Sequence, residues 1–326
     1  MAPMPPLNES NIKEDAISNS DIDVNSNNVE NSTHLLEHDK YSKSTITIPS
    51  SLSSLGPPKR FPRNWMQNLL SNAPHPTDSS TILKNKALVV APMVDQSDLP
   101  FRLLCRSYGA NLCFTPMIHA KMFINKEAHH HKFWNLDKGT PKEDHPLIAQ
   151  FCGSDPHALY QAAHLIQHQG NPINLNCSCP QIIAKCGRFL LENVPVSISI
   201  VQTLALQLDI PVTVKVRLLP SGLNNSLNIY KALVDADTSM IAVHGRNCFQ
   251  KVQETGPTDW DAIAKNVSII GLGSQHPIPI FVNGSLLNLE DVKKCYYIPM
   301  HMVSCHWKLF WKVQLSFWEN QPMNEP

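Results

Sequence analysis

Asn174-Leu-Asn-Cys-Ser-Cys-Pro-Gln181 decides how this chain is read. Its approach, Gly170-Asn-Pro-Ile173, runs into alternating polar and apolar residues and stops at Pro180, the pattern of a short strand leaving its sheet. Asparagine and cysteine at a strand end fill a core poorly and serve well as functional groups. A cysteine thiol ordinarily titrates near about 8.5, so at neutral pH it is mostly protonated and able to donate. Cys179 is therefore the first candidate for catalysis.

Outward from this stretch, strand and helix patterns alternate. Strands are expected at 86–93, 111–117, 147–153, 174–179, 211–217, 240–246 and 277–284, with helices over 99–108, 156–169, 196–208, 227–236 and 260–266 and one beginning at 289. Such alternation implies parallel βα units. Most of the strands end in polar or catalytic residue types, which favours a (β/α)8 TIM-type barrel, where those ends converge on one mouth. An open doubly wound sheet is the competing arrangement, but no Gly-x-Gly-x-x-Gly turn follows the first strand. The pattern then stops. Residues 296–326 scatter Trp307, Phe310, Trp311, Phe317 and Trp318 among polar residues and offer no clear eighth strand, so the barrel is expected to be incomplete, with two unpaired edges.

The organisation expected is a disordered tail over 1–80, the barrel over 86–295 and a tail of different character over 296–326. Residues 1–40 hold eight acidic residues and two lysines, leaving 25 basic against 19 acidic residues in the rest. That modest basic excess permits a polyanionic partner. A 42% hydrophobic composition supports a sizeable core. No apolar run reaches the roughly 18 residues of a membrane span and no signal pattern opens the chain. Nine cysteines in irregular spacings fit a reducing compartment better than a disulfide framework. The expectation is a soluble intracellular protein, cytoplasmic or nuclear, without membrane contact.

The strand ends form a set: Pro92-Met93, Gln150, Asn176 with Cys179, Lys215 with Arg217, His244-Gly245-Arg246 and Asn283-Gly284. Singly, Gln150 reads as a hydrogen-bonded core amide, Lys215 as a snorkelling lysine and His244 as a satisfied histidine. Jointly they read as a mouth. A buried lysine in mid-strand costs several kcal/mol unless paired, so Lys215 is expected to face an anion or an electron-rich ring. Gly284 lets the backbone approach a ligand closely, where barrels often hold phosphate. Cys177-x-Cys179 with Cys186 lacks the spacing of a zinc site, so no metal is expected. His129-His-His131 reads as a solvated loop.

Several of these segments together resemble the tRNA-dihydrouridine synthases, nearest to the eukaryotic class acting at tRNA positions 16 and 17. They are Ala91-Pro-Met-Val-Asp-Gln-Ser-Asp-Leu-Pro-Phe-Arg102, 176–184, Val214-Lys-Val-Arg217, Val243-His-Gly-Arg246, 256–261 and Val282-Asn-Gly284. The resemblance covers about 86–295. It implies a flavoenzyme and oxidoreductase, in which NADPH reduces FMN and a hydride passes to C6 of a uracil flipped out of tRNA. By position, Cys179 is the proton donor to C5 and Cys177 a bystander. The resemblance also implies cofactor contacts from Pro92, Met93, Gln150, Lys215, His244, Asn283 and Gly284. Asn176, Lys185 and Arg246 would face the uracil or RNA.

Two departures stand out. After Cys179-Pro180 the chain reads Ala184-Lys-Cys-Gly-Arg188 and goes directly to Phe189-Leu190, about three residues shorter than the family's loop, and Ser178 replaces a glycine. The family's eighth strand and its helical C-terminal RNA-binding domain are also missing. Codons for Pro299-Met-His-Met-Val-Ser-Cys-His-Trp-Lys308, read in a neighbouring frame, are compatible with His-Ala-Tyr-Gly-Val-Met-Ser-Leu-Glu, which resembles the family's eighth-strand motif. A slipped frame near Ile298 is therefore expected, and resequencing the transcript there tests it. Two readings follow: an FMN- and NADPH-dependent tRNA uridine reductase, or an inactive remnant of one with residual RNA contact.

Overall fold

Runs of valine, leucine and isoleucine bounded by proline, glycine or asparagine become short parallel strands in this computed structural model, which describes residues 61, 64–71, 88–94, 96–135, 139–179, 186–250, 256–272, 278–286, 291 and 302–305. The strands are β1 Leu88–Val90, β2 Leu112–Phe114, β3 Ile118–His119, β4 Leu147–Cys152, β5 Ile173–Asn176, β6 Val212–Arg217, β7 Met240–His244, β8 Ile280–Asn283 and β9 Met302–Cys305. The helices are α1 Trp65–Ser71, α2 Leu99–Ser107, α3 Ala120–Asn125, α4 Glu127–Phe133, α5 Pro156–Gln167, α6 Arg188–Glu192, α7 Val194–Gln207, α8 Leu223–Asp235 and α9 Trp260–Asn266. Helices α2, α5 and α9 start on aspartate caps, Asp98, Asp155 and Asp259, whose carboxylates accept from first-turn amides. A cap at the end of a short connection turns the chain abruptly from strand to helix.

Every strand pairing is parallel. β1 joins β2, β2 joins β4, and β4 through β9 follow in chain order, with the two-residue β3 added beside β4. This is the (β/α)8 class expected from the alternating pattern. The seam takes a form the sequence does not announce. Where it leaves two strand edges unpaired, Met302–Cys305 pairs with β8 on one side and with β1 on the other. A four-residue run, Met-Val-Ser-Cys, is enough, because both neighbouring edges present unpaired backbone groups that closure satisfies. Among the described residues no helix follows β9. The helix expected to begin at 289 also falls outside them, apart from Asp291.

Period two divides the strand residues between two cores. Val90, Ala149, Leu175, Val214, Val243 and Val282 face outward into the layer of helices. Val89, Phe114, Ile148, Met240, Ala242 and Phe281 fill the barrel interior with Trp65 and Met66 of α1. Here the tail expectation needs correction: within 1–80, α1 is a helix whose Trp65 and Met66 are buried, and Trp65 Nε1 donates to Ser239 O at 3.3 Å. Trp65, Met66, Leu69 and Leu70 have helical spacing, which asparagine- and proline-rich flanks conceal. His129-His-His131 likewise lies in α4 rather than in a loop, since nothing between Glu127 and Phe133 breaks a helix.

Candidate active site

Above the apolar plug the same inward parity continues into polar residues. Gln150 follows Ile148, Asn174 and Asn176 line β5, and Thr213, Lys215 and Arg217 line β6. His244 follows Ala242, and Asn283 follows Phe281. Strand register sets them side by side: Gln150 opposite Asn174, Asn176 opposite Lys215, and Arg217, His244 and Asn283 in one row. Gln150, Asn176, Lys215, His244 and Asn283 are all buried. The register thus brings these strand-end residues side by side on the inner face at the C-terminal end of the barrel, where the loops of such barrels build their sites.

Buried amides need partners, and these form a chain. Gln150 Nε2 donates to Asn174 Oδ1 at 2.8 Å, Asn176 Nδ2 donates to Gln150 Oε1 at 2.8 Å, and Asn174 Nδ2 donates to Thr213 Oγ1 at 2.9 Å. Asn176 Oδ1 accepts from the backbone amides of Ser178 and Cys179, both at 2.9 Å. Both ends of the Asn176 amide are therefore engaged within the protein, and the lower one curls the backbone that carries Cys179. Gly187 closes the curl from the other side. Its φ of +60° and the Cys179 carbonyl 2.6 Å from where a β-carbon would sit require glycine, and Arg188 N donates to that carbonyl at 2.8 Å. Cys179 is partly exposed on the mouth side, whereas Cys177 is buried in the outer core, where desolvation pushes its thiol pKa up.

Lys215 is the electrostatic centre. Its Nζ donates to Ser178 Oγ at 3.2 Å, and among the described residues no carboxylate pairs with it. Desolvation first, and the neighbouring Arg217 charge second, push its pKa down to about 7. Arg217 is held through Nη1 to Asn247 O at 3.0 Å, while its buried Nε makes no hydrogen bond. A hollow with two crowded cations and no acid is built to receive negative charge.

The opposite rim is made by β7 and β8. His244 Nδ1 accepts from the Arg246 amide at 3.2 Å, so the ring proton sits on Nε2. Gly284 has φ +114°, and a β-carbon there would lie 2.7 Å from Thr258 Oγ1 and 3.1 Å from His244 Cε1, so a side chain would fill the space beside the histidine. Arg246 turns back to Gly256 O at 3.0 Å and Ser285 Oγ at 2.6 Å, tying these loops together. Pro92 and Met93 follow β1, and Met93 N bonds Ser97 Oγ at 3.0 Å. Ser97 O accepts from Arg102, whose guanidinium meets buried Asp144 at 2.6 Å. Lys185 lies outside the described residues.

Residue-type reasoning missed the work of Ser97, Asp144, Ser178 and Thr258. Small hydroxyls carry no periodic signal; only their positions beside the motif residues mark them. Among the described residues no three metal-ligating side chains gather, and no helix is long and apolar enough to cross a membrane.

Comparison with known proteins agrees with this arrangement. The family model described as dihydrouridine synthase (Dus) matches residues 89–301. The tRNA-dihydrouridine(16/17) synthase of Saccharomyces cerevisiae, NAD(P)(+) in its name, is 39% identical over 210 residues, which are 64% of this chain and 48% of that protein. The Schizosaccharomyces pombe protein of the same name is 38% identical over 64% of this chain and 51% of its own length. A like-named Rattus norvegicus protein is 40% identical over 64% of this chain and 46% of that one. The chain spans about half the length of these relatives. With its matched residues running from β1 past β8, the chain belongs to the dihydrouridine synthase family.

Proposed function

We propose that this chain reduces uridine in tRNA to 5,6-dihydrouridine, with FMN held in the barrel mouth and NADPH as the source of reducing equivalents. The observation that carries the reading is Lys215: a buried cation beside Arg217, with a hydroxyl but no acid for company. A tricyclic ring that takes up negative charge on reduction fits this environment, and the space that Gly284 keeps open beside His244 fits a ribityl or phosphate group. When bound, the flavin supplies the hydride for C6 of the uracil.

The chain's own residues do the rest. Lys215 would stabilise charge at the pyrimidine end of the cofactor, Gln150 would offer only the second Nε2 hydrogen left over from its bond to Asn174, and Pro92 and Met93 would line the ring by backbone. His244, Asn283 and the Gly284 backbone would hold the ribityl and phosphate. Cys179 gives the proton of its thiol to C5 of the uracil and recovers one from solvent, completing the addition of two hydrogens across the C5–C6 bond. Asn176 acts on the substrate side by fixing the Cys179 backbone. Lys185 and Arg246 belong to the RNA side, Arg246 through the loops it ties together. A base can reach such a hollow only when flipped out of its helix. The names of the similar proteins support positions 16 and 17 of the tRNA.

Flavin absorbance of the purified protein and mass spectrometry of tRNA from a deletion strain complemented with this chain test the proposal. The expected results are a yellow protein and restored dihydrouridine. With Cys179→Ala, the colour should stay while dihydrouridine formation falls by about 10²–10⁴-fold. A colourless protein that takes up no FMN rejects the cofactor assignment, and undiminished formation by the variant rejects the proton donor.

A further inference from the structure

Beside the hollow, and not within it, lies a second cavity of roughly 330 Å³ between the start of α6 and the loops after β6 and β7. Cys177, Ser178, Leu219, Arg217, Arg188 and Phe249 are on its wall. Cys177 belongs to the outer core, so the cavity flanks the barrel. Ser178, whose hydroxyl receives the Lys215 hydrogen bond, separates it from the reacting mouth.

Three features of this cavity point to one kind of ligand. Phe249 is 53% exposed although it is a large apolar side chain, and it directly follows Cys248 in the loop after His244-Gly245-Arg246. The Arg188 guanidinium lies 4.8 Å from its ring centroid, so the ring is already held in a cation–π pair, with Arg188 also bonded to Glu192. Arg217 is on the wall of the same cavity. A planar apolar face flanked by two arginines matches a nucleotide, whose base stacks while its phosphate meets the cations. A membrane surface would need a broader apolar face, and an acidic peptide would leave the exposed ring unused.

We propose that this flanking cavity holds the unpaired nucleotide next to the one being reduced, its base stacked on Phe249 and its phosphate toward Arg188 and Arg217. The inference rests on the tRNA reading above and goes beyond it, because it gives the chain a second base-binding position outside the barrel. Arg188 opens α6 directly after the shortened loop and Phe249 lies in the loop after β7, so this position depends on these two connections as well as on Arg217 at the end of β6.

The test is steady-state dihydrouridine formation on tRNA transcript by the full chain and three variants. Phe249→Ala should raise KM for tRNA by about 5- to 150-fold, the range of a lost base–aromatic stack, with the change falling on KM and not on kcat. Phe249→Trp should restore KM, and its added fluorescence should be quenched by tRNA. Arg188→Ala should weaken binding and reduce the slope of log KM against log salt by about one contact's worth. Wild-type turnover with an unchanged KM in both Phe249 variants overturns this inference and leaves the tRNA reading standing. Absence of dihydrouridine formation by the wild-type chain overturns both.

Discussion

Two buried cations of this barrel are treated in opposite ways. Arg102, on α2, has an acid: Asp144, fully buried in the turn before β4, takes its guanidinium at 2.6 Å, with Arg106 Nε 3.5 Å from the same carboxylate, and the Ser97 carbonyl accepts from Arg102 as well. Lys215, mid-way round the ring on β6, has a serine hydroxyl at 3.2 Å and a second cation for a neighbour. Both lie away from water, where an unpaired charge costs several kcal/mol. Evenly distributed stability would have given each an acid. The difference teaches that the first charge is spent on the fold, where it braces the loop carrying Met93, whereas the second meets only a hydroxyl among the described residues, as the proposed cofactor site requires.

Removing the acid breaks the comparison most severely. Asp144→Ala should lower unfolding free energy by about 3–5 kcal/mol, because it strands a buried guanidinium. Urea denaturation of flavin-free protein measures it. The double variant Arg102→Met/Asp144→Ala should recover only part of the loss, since it removes one uncompensated charge and leaves buried Arg106 without its carboxylate neighbour. A loss under about 1 kcal/mol for Asp144→Ala would mean that Arg102 finds water or another partner, and the contrast with Lys215 would disappear.

Lys215→Met should act in the other direction. In flavin-free protein the folded lysine gives up its proton near about 7, while the unfolded one keeps it to about 10.5. Between these values the unfolded chain binds more protons, so this group makes stability rise with pH, by at most about 1.4 kcal/mol per unit. Below about pH 7 both states carry the proton and the full burial cost is present. Buried thiols oppose the trend only above about 8.5, since Cys105 and Cys113 are pushed up to about 12 by desolvation and hold protons that the unfolded chain releases. The difference between wild type and Lys215→Met should therefore be largest at pH 6 and shrink by about 2 kcal/mol by pH 8.5. The variant should be at least as stable as wild type at pH 6 and should bind flavin poorly. A pH-independent difference would show that Lys215 is not the titrating group.

The same contrast explains how much of the molecule the letters disclose. Lys215, Gln150, His244 and Asn283 were legible because each is a polar residue at a fixed parity near the end of an apolar run. Period two then carries them to the inner face with no further information. Asp144 and Arg102 are 42 positions apart and share no pattern, so only the folded chain reveals the pair. The Trp65–Met66 plug was hidden for another reason: its helix is two turns long and is set among residues whose composition reads as tail. Asn176 was read from its position as a group facing the substrate. Its amide is consumed at both ends by Gln150 and by the Cys179 backbone, a detail that spacing does not encode. Met302–Cys305 was missed because a closing strand needs only four residues when two edges wait for it.

The smallest expected effect sharpens the comparison most. Ser178 directly precedes Cys179, and its hydroxyl is the one acceptor described for the Lys215 ammonium. Ser178→Ala removes that acceptor without adding backbone freedom. The charged lysine loses a hydrogen bond worth about 0.5–1.5 kcal/mol, while the neutral lysine loses less. The folded midpoint of Lys215 should then move below about 7, and the pH-driven rise in stability should begin earlier. Urea midpoints should differ from wild type at pH 6 and converge by pH 8.5, apart from the weak bond Ser178 Oγ also makes to Asn176 Oδ1 at 3.3 Å. Equal differences at both pH values would mean that the hydroxyl serves the Asn176 turn and not the ammonium. Among the described residues Lys215 would then have no partner of energetic weight, and the serine would lose its part in the contrast.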